Sequence, residues 1–209
     1  MATFFRGDMR VIKAQRVGVC VDVQNMYYAA RNIFNGRLNF QLLLDTIVKG
    51  RQLVRAIAYV IEDGVRDQSS FFTVLQSCGF DVKKKPLRIR ADGTSKGDWD
   101  MGIALDALAL SEKVDVIALV TGDGDFTDLV YFLRSRGVRV EVYSFPRSTA
   151  DSLVKATDQF TPLDDELVIP MNRTRRDQTS GDSNEDEPLS PTPQPARERD
   201  EFSFGIFDE

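Results

Sequence analysis

Acidic residues recur where apolar runs end or helix-like segments begin: Asp22 in VDVQN, Asp98 and Asp100 in KGDWD, and Asp123 and Asp125 in TGDGDF. Asp22 stands inside an otherwise apolar run, where an unpaired carboxylate costs several kcal/mol and so calls for a cation, a hydrogen-bond donor or a helix N-terminus. Simple capping accounts for each acid taken singly. Asp22 or Asn25 can cap the helix that follows, Asp123 and Asp125 can cap the next one, and Asp100 suits a helix dipole. The conjunction asks for more. Carboxylates converging at one edge of a sheet repel one another unless a divalent cation neutralises them, and oxygen-only ligands select Mg²⁺ or Mn²⁺. Such a centre holds one or two metals, orients and acidifies a water, and stabilises the leaving oxygen of a phosphodiester.

The chain contains no histidine, which removes Ser-His-Asp and Cys-His nucleophiles and imidazole acid/base or ligand chemistry together. Hydrolysis must then run on carboxylates, lysines, tyrosines or a metal-bound water. Cations cluster on the approach to KGDWD as Lys83, Lys84, Lys85, Arg88, Arg90 and Lys96. These could track a phosphate backbone beside the acids. For Lys83 to Lys85, lysines guarding an edge strand serve equally well. Asp106 lies on another side of its helix from Asp100, where it either supports the ligands or accepts a buried hydrogen bond. Tyr27, Tyr28 and Trp99 offer stacking faces for bases, with core packing as the alternative.

Positioning these residues requires an alternating scaffold. Arg16 to Val23 reads as a strand and Gln24 to Ile33 as a helix; Asn39 caps a second helix that ends near Gly50, and Arg51 to Ile61 is the next strand. A helix from Arg66 to Cys78 stops at Gly79, and Phe80 to Arg90 reads as an edge strand interrupted by Pro86. After a turn over Ala91 to Gly97 come the helix Trp99 to Leu110, the buried run Val114 to Thr121, the helix Phe126 to Arg136, the strand Val138 to Ser144 and a closing helix Ser148 to Asp158. This rhythm predicts an α/β/α three-layer domain with a mostly parallel central sheet, whose sites form beyond the carboxyl ends of the strands.

Of 209 residues, 42% are hydrophobic, enough to fill one core over most of the length. The division expected is an N-terminal extension over residues 1–14, a domain over 15–168 and an acidic, disordered tail over 169–209. The net charge of -5 is a property of that tail: residues 171–209 hold 5 Arg and 10 Asp/Glu, leaving a body of 22 basic and 22 acidic residues. Within the tail, residues 201–209 (EFSFGIFDE) set Phe202, Phe204, Ile206 and Phe207 among acids, the composition of a peptide that docks on a protein partner. No apolar run is long enough to span a bilayer and the start lacks a signal-peptide core, so the expectation is a cytoplasmic protein without a membrane partner. Cys20 and Cys78 have no metal-ligand spacing and are expected to be reduced.

Four segments, VDVQNMYYAAR, KGDWDMGIALDAL, VIALVTGDGDFTDLVYFLRSRGVRVEVY and STADSLVKATDQFTPL, resemble in sequence and order the NYN domain, specifically its LabA-like branch within the PIN-like nuclease superfamily. The resemblance covers residues 15 to 166. It implies a PIN-like fold and a metal-dependent centre of ribonuclease type, with RNA as the partner and Asp22, Asp100, Asp123 and Asp125 as catalytic and metal-binding residues. Asn25 stands beside them, and with Lys96, Arg88 and Arg90 forms the expected substrate-binding set. Asp106 and Asp158 match further recurrent acids, whereas Asp98 departs from the family pattern. Two other functions compete. A haloacid-dehalogenase-type phosphatase would explain the spacing of Asp123 and Asp128, but Gln24 replaces the second acid of its nucleophile motif. A non-catalytic regulator or scaffold would dimerise or otherwise homo-oligomerise, and would use the Phe202 to Phe207 peptide to hold a partner.

Overall fold

The computed structural model describes residues 12–62, 68–89, 95–96 and 98–171. Residues 1–11, the expected helix start at Arg66, Arg90, most of the turn at 91–97, and the tail with its 201–209 peptide lie outside the described residues. The chain opens with β1 (Arg16–Asp22), α1 (Val23–Phe34), β2 (Gly36–Leu38), α2 (Phe40–Val48) and β3 (Gln52–Glu62). Next are α3 (Ser69–Ser77), β4 (Asp81–Pro86), the short β5 (Arg88–Ile89) and β6 (Ser95–Lys96), and α4 (Asp100–Ser111). Then β7 (Val116–Val120), α5 (Thr127–Ser135), β8 (Arg139–Ser144), α6 (Asp151–Ala156), β9 (Gln159–Pro162) and β10 (Val168–Pro170) complete it.

Six strands form a parallel sheet in the order β4-β3-β1-β7-β8-β9. Period-2 alternation divides β1 between two cores. Val17, Val19 and Val21 face one cluster with Met26, Leu43, Ile47 and Leu75 of α1, α2 and α3. Cys20 faces the other, with Ile103, Ala107, Val130, Leu133 and Leu153 of α4, α5 and α6. Helices therefore cover both faces, as the sequence predicts. Gly18 leaves room for its neighbours: a Cβ there would stand 3.2 Å from Ile117 Cδ1 of β7 and 3.3 Å from Leu110 Cδ1 of α4, so α4 settles directly on β1. Among the described residues no helix is long and apolar enough to cross a membrane.

Two expectations at the element level need correction. Ser148 to Asp158 is not one helix, because α6 spans only Asp151–Ala156 and the chain then enters a further strand, β9. The cause is local competition for the backbone of Val140: Thr157 Oγ1 donates to its carbonyl at 2.8 Å and Asp158 Oδ2 accepts from its N–H at 2.9 Å, which draws the chain out along β8. The Phe80 to Arg90 strand is likewise shorter. β4 stops at Pro86 on the sheet edge, and the chain continues into the β5–β6 hairpin, where Arg88 pairs with Lys96. The pairing of β2 with β10 has no counterpart in the sequence reading; three residues are too few for a period.

One polar group sits deep in the fold. Glu141 of β8 accepts from Arg51 Nη1 at 3.0 Å and Nη2 at 2.9 Å, from Arg139 Nε at 3.0 Å and from the Tyr143 hydroxyl at 2.9 Å. Arg51 also donates to the Ile47 carbonyl at 2.6 Å. Burial alone would push the Glu141 carboxyl up, but these donors hold it below its ordinary value. The network ties the turn between α2 and β3 to β8. Removing Arg51 takes two of the four donor contacts from a buried carboxylate and leaves Arg139 and Tyr143, so Arg51→Ala is expected to lower unfolding free energy in urea by about 3 kcal/mol, the low end for breaking a buried pair.

Candidate metal centre

The chain reverses its winding at β1. From there β3 and β4 are added on one side and β7, β8 and β9 on the other. Connections leave the carboxyl ends of β1 and β7 toward opposite faces, opening a crevice of the kind where α/β sheets bind ligands. Asp22 is the last residue of β1 and Asp123 follows β7 by three residues. Asp125 sits in a 3₁₀ turn over Gly124–Phe126. Asp100 arrives from elsewhere as the first residue of α4, seated through the buried Ile103, Ala107 and Leu110.

One carboxylate oxygen from each of Asp100, Asp123 and Asp125 lies within 4.8 Å of the others. Asp22 is beside them and feels them: burial first, opposed by the hydrogen bond from Asn25 N–H, then the charges of Asp100 and Asp123, push its carboxyl up to about 6. Asp100 is also raised, by burial and then by Asp98, Asp123 and Asp125. Among the described residues none of the ion pairs involves these four acids. Backbone donors hold them in place instead. Asp22 Oδ1 accepts from Asn25 N–H at 3.1 Å and Asp123 Oδ1 from Asp125 N–H at 3.0 Å. Capping and clustering are thus the same geometry. The donor set is all oxygen, close-packed and uncompensated, which fits a hard divalent cation.

The loop carrying Asp123 is locked on two sides. Asn25 Oδ1 accepts from Gly122 N–H at 2.9 Å, and the Gly122 carbonyl accepts from Ala150 N–H at 2.9 Å. A Cβ on Gly122 would collide with the Ser148 carbonyl, so glycine is required for this close approach. Asn25 therefore acts on the acid loop itself.

The remaining candidates are occupied elsewhere. Asp106 accepts from the Tyr59 hydroxyl at 2.8 Å and from Lys83 Nζ at 2.8 and 2.7 Å, which makes it a hydrogen-bond partner pinning α4 to β3 and β4. Lys84 pairs with Glu62 at 3.3 Å, and Lys85 stands over the Trp99 ring at 4.0 Å and donates to the Asp98 carbonyl at 3.3 Å. Trp99 donates to the Val60 carbonyl at 2.9 Å, and Tyr27 is buried with Arg31 donating to its hydroxyl. Asp158 lies at the opposite edge of the sheet, with Arg134 Nε at 2.8 Å. The backbones of Arg88 and Lys96 are register partners in the antiparallel β5–β6 pair ahead of Asp100. Arg147 is not among the sequence-predicted site residues. It is exposed in the turn after β8, next to the Ser148 carbonyl that crosses Gly122; a cation placed directly after a strand end was the available signal.

Comparison with known proteins gives this geometry a family. The chain is 29% identical to the low amplitude and bright protein LabA of Synechococcus elongatus over 164 residues, 73% of this chain and 86% of that one. The crystal structure of a protein of unknown function from Vibrio parahaemolyticus superimposes with a TM-score of 0.70 at 36% identity, covering 77% of this chain and all of the other. Because the NYN domain model matches residues 16–164, most of the chain, this protein belongs to the NYN domain family, of the PIN-like nuclease type.

Proposed function

We propose that this protein is a metal-dependent ribonuclease that hydrolyses phosphodiester bonds at the cluster of Asp22, Asp100, Asp123 and Asp125 with Mg²⁺ or Mn²⁺. The observation that carries the proposal is the set of three carboxylate oxygens within 4.8 Å of one another, with Asp22 beside them, at the switch point of the sheet. Asp100, Asp123 and Asp125 would hold the cation and Asp22 would complete the oxygen set. A divalent ion there supplies an acidified, oriented water and charge neutralisation for the phosphate. The water oxygen bonds to phosphorus, the phosphorus–oxygen bond to the next nucleotide breaks, and the water proton passes through the carboxylates and solvent to the leaving oxygen. Asn25 and Gly122 keep Asp123 aimed during this exchange.

RNA must be held by cations near the acids. Arg147 directly precedes Ser148, whose carbonyl lies against Gly122, and the backbone of Arg88 and Lys96 belongs to the β5–β6 pair ahead of Asp100. Membership of a nuclease-type family and the absence of histidine both favour metal–carboxylate hydrolysis over an imidazole mechanism.

With the folded protein incubated on single- and double-stranded RNA in Mn²⁺, cleavage should vanish in EDTA and fall at least about 100-fold in Asp123→Asn, more than the loss of a supporting residue brings. A folded wild-type chain that leaves every RNA intact would overturn the assignment. Arg147→Ala should weaken RNA binding and reduce the salt slope by about 0.7 if it meets one phosphate of a single strand.

The acids also predict a readout independent of cleavage. Asp22 binds its proton near 6 in the fold against an ordinary 3.8, so between these values the folded chain holds more protons than the unfolded one. Stability from this group therefore falls as pH rises through that window. In EDTA, wild type should melt lower at pH 7 than at pH 5.5, and Asp22→Asn, which keeps an oxygen for Asn25 N–H, should abolish much of the difference. Millimolar Mn²⁺ at pH 7 should restore the wild-type midpoint and leave the variant nearly unmoved.

A further inference from the structure

We infer that the outer face of α4 and α5 is a two-fold interface with a second copy of this chain. From Asp100 to Ser111, α4 carries only two charges, Asp100 at its tip and Asp106, which turns inward to Tyr59 and Lys83. The helix is apolar on every side. Such a helix normally lies buried all round, yet here only one side meets the sheet. Met101 is 69% exposed and Leu105 60% exposed. Helical spacing sets Leu108 beside them on the flank toward α5, where Leu129 and the 49%-exposed Phe132 continue the surface. The Arg136–Glu112 pair at 3.8 Å links the two helices at their far ends.

Size and charge both select a copy of the same surface. The strip is roughly 18 Å long and about 20 Å wide across two helices. Paired with itself it covers about 700 Å² in projection over the two copies, the size of a weak, reversible interface. Its ends carry opposite signs. α4 and α5 run in the same direction, since each leads into one of two adjacent parallel strands. Asp128 of α5 therefore lies at one end, beside the acid cluster, and Lys113 at the other, where Arg136 is paired with Glu112. An isologous two-fold contact with α4 antiparallel to its counterpart sets the end bearing Asp128 against the end bearing Lys113 and the uncharged middles together. Leu105, near the midpoint of α4, falls close to the axis.

The full-length chain should sediment at micromolar concentration with twice the 23.5 kDa chain mass. Leu105→Asp, an exposed substitution that leaves the inward-facing residues untouched, should raise the dimer dissociation constant by at least about 30-fold with an unchanged circular-dichroism melt. Leu105→Cys should cross-link to its own copy under mild oxidation, where wild type with Cys20 and Cys78 does not. A wild-type chain that stays monomeric, including one whose face serves a different protein, overturns the proposal. So does a folded Leu105→Asp chain that still dimerises, or a Leu105→Cys dimer that fails to cross-link. Phe132→Ser on α5 provides the same test should the α4 substitutions unfold the chain.

Discussion

Like-charge repulsion among Asp22, Asp100, Asp123 and Asp125 is the constraint around which the rest of the domain is arranged. Carboxylates gathered at a half-buried crevice favour protonation, through burial first and through one another's charge second, as the upward displacement of Asp22 and Asp100 records. Three features oppose the repulsion. Asp22 caps α1, Asp123 caps the turn that follows it, and Asp100 opens α4, so each acid lies at the positive end of a helical segment. The Asn25–Gly122 bond joins the two strand ends that bear Asp22 and Asp123. Close packing of α4 on Gly18 then fixes where Asp100 can stand.

The opposite edge of the sheet uses the same residue type to the opposite end. Asp115 meets Arg16 at 2.9 Å and is held down to about 2 by it, and Asp158 meets Arg134 and the Val140 N–H. At the amino edge, then, aspartates are paired and serve the chain turns. At the carboxyl edge Asp22 and Asp123 accept from backbone donors, and among the described residues none of the four clustered acids has an ion pair. Stability and chemistry are thereby segregated along the strand direction, which is why the buried Arg51–Glu141 network, in the amino-edge half, can be altered without touching the acid cluster.

Much of this was readable in the chain itself, because the relevant signals are local. Uninterrupted apolar runs such as VIALV mark strands buried on both faces, and the charge inside VDVQN marks a place where a strand must end in something other than core. What escaped was whatever depends on partners distant in sequence. Asp158 looks like the other acids until Val140 and Arg134 are placed beside it. The lysines of β4 look free until Asp106, Glu62 and Trp99 are. Arg147 gains interest only once Ser148 is known to cross Gly122. Spacing revealed which acids start helices; register and packing decided which of them meet.

In the helix α4, packing, polar pairing and the geometry of the acid cluster meet. Its inward face must be small and apolar to sit on β1 and β7, which Ile103, Ala107 and Leu110 provide. One polar residue on that side, Asp106, is tolerable because Tyr59 and Lys83 satisfy it, and that bond also fixes the rotation of the helix about its axis. Rotation matters because Asp100 is attached at the tip: turning α4 by one residue would swing the carboxylate by about 100° and remove it from Asp123 and Asp125. Packing alone, with apolar residues on every side of the helix, would choose that angle weakly. Asp106 supplies the choice, so an acid outside the cluster is what brings the cluster into register.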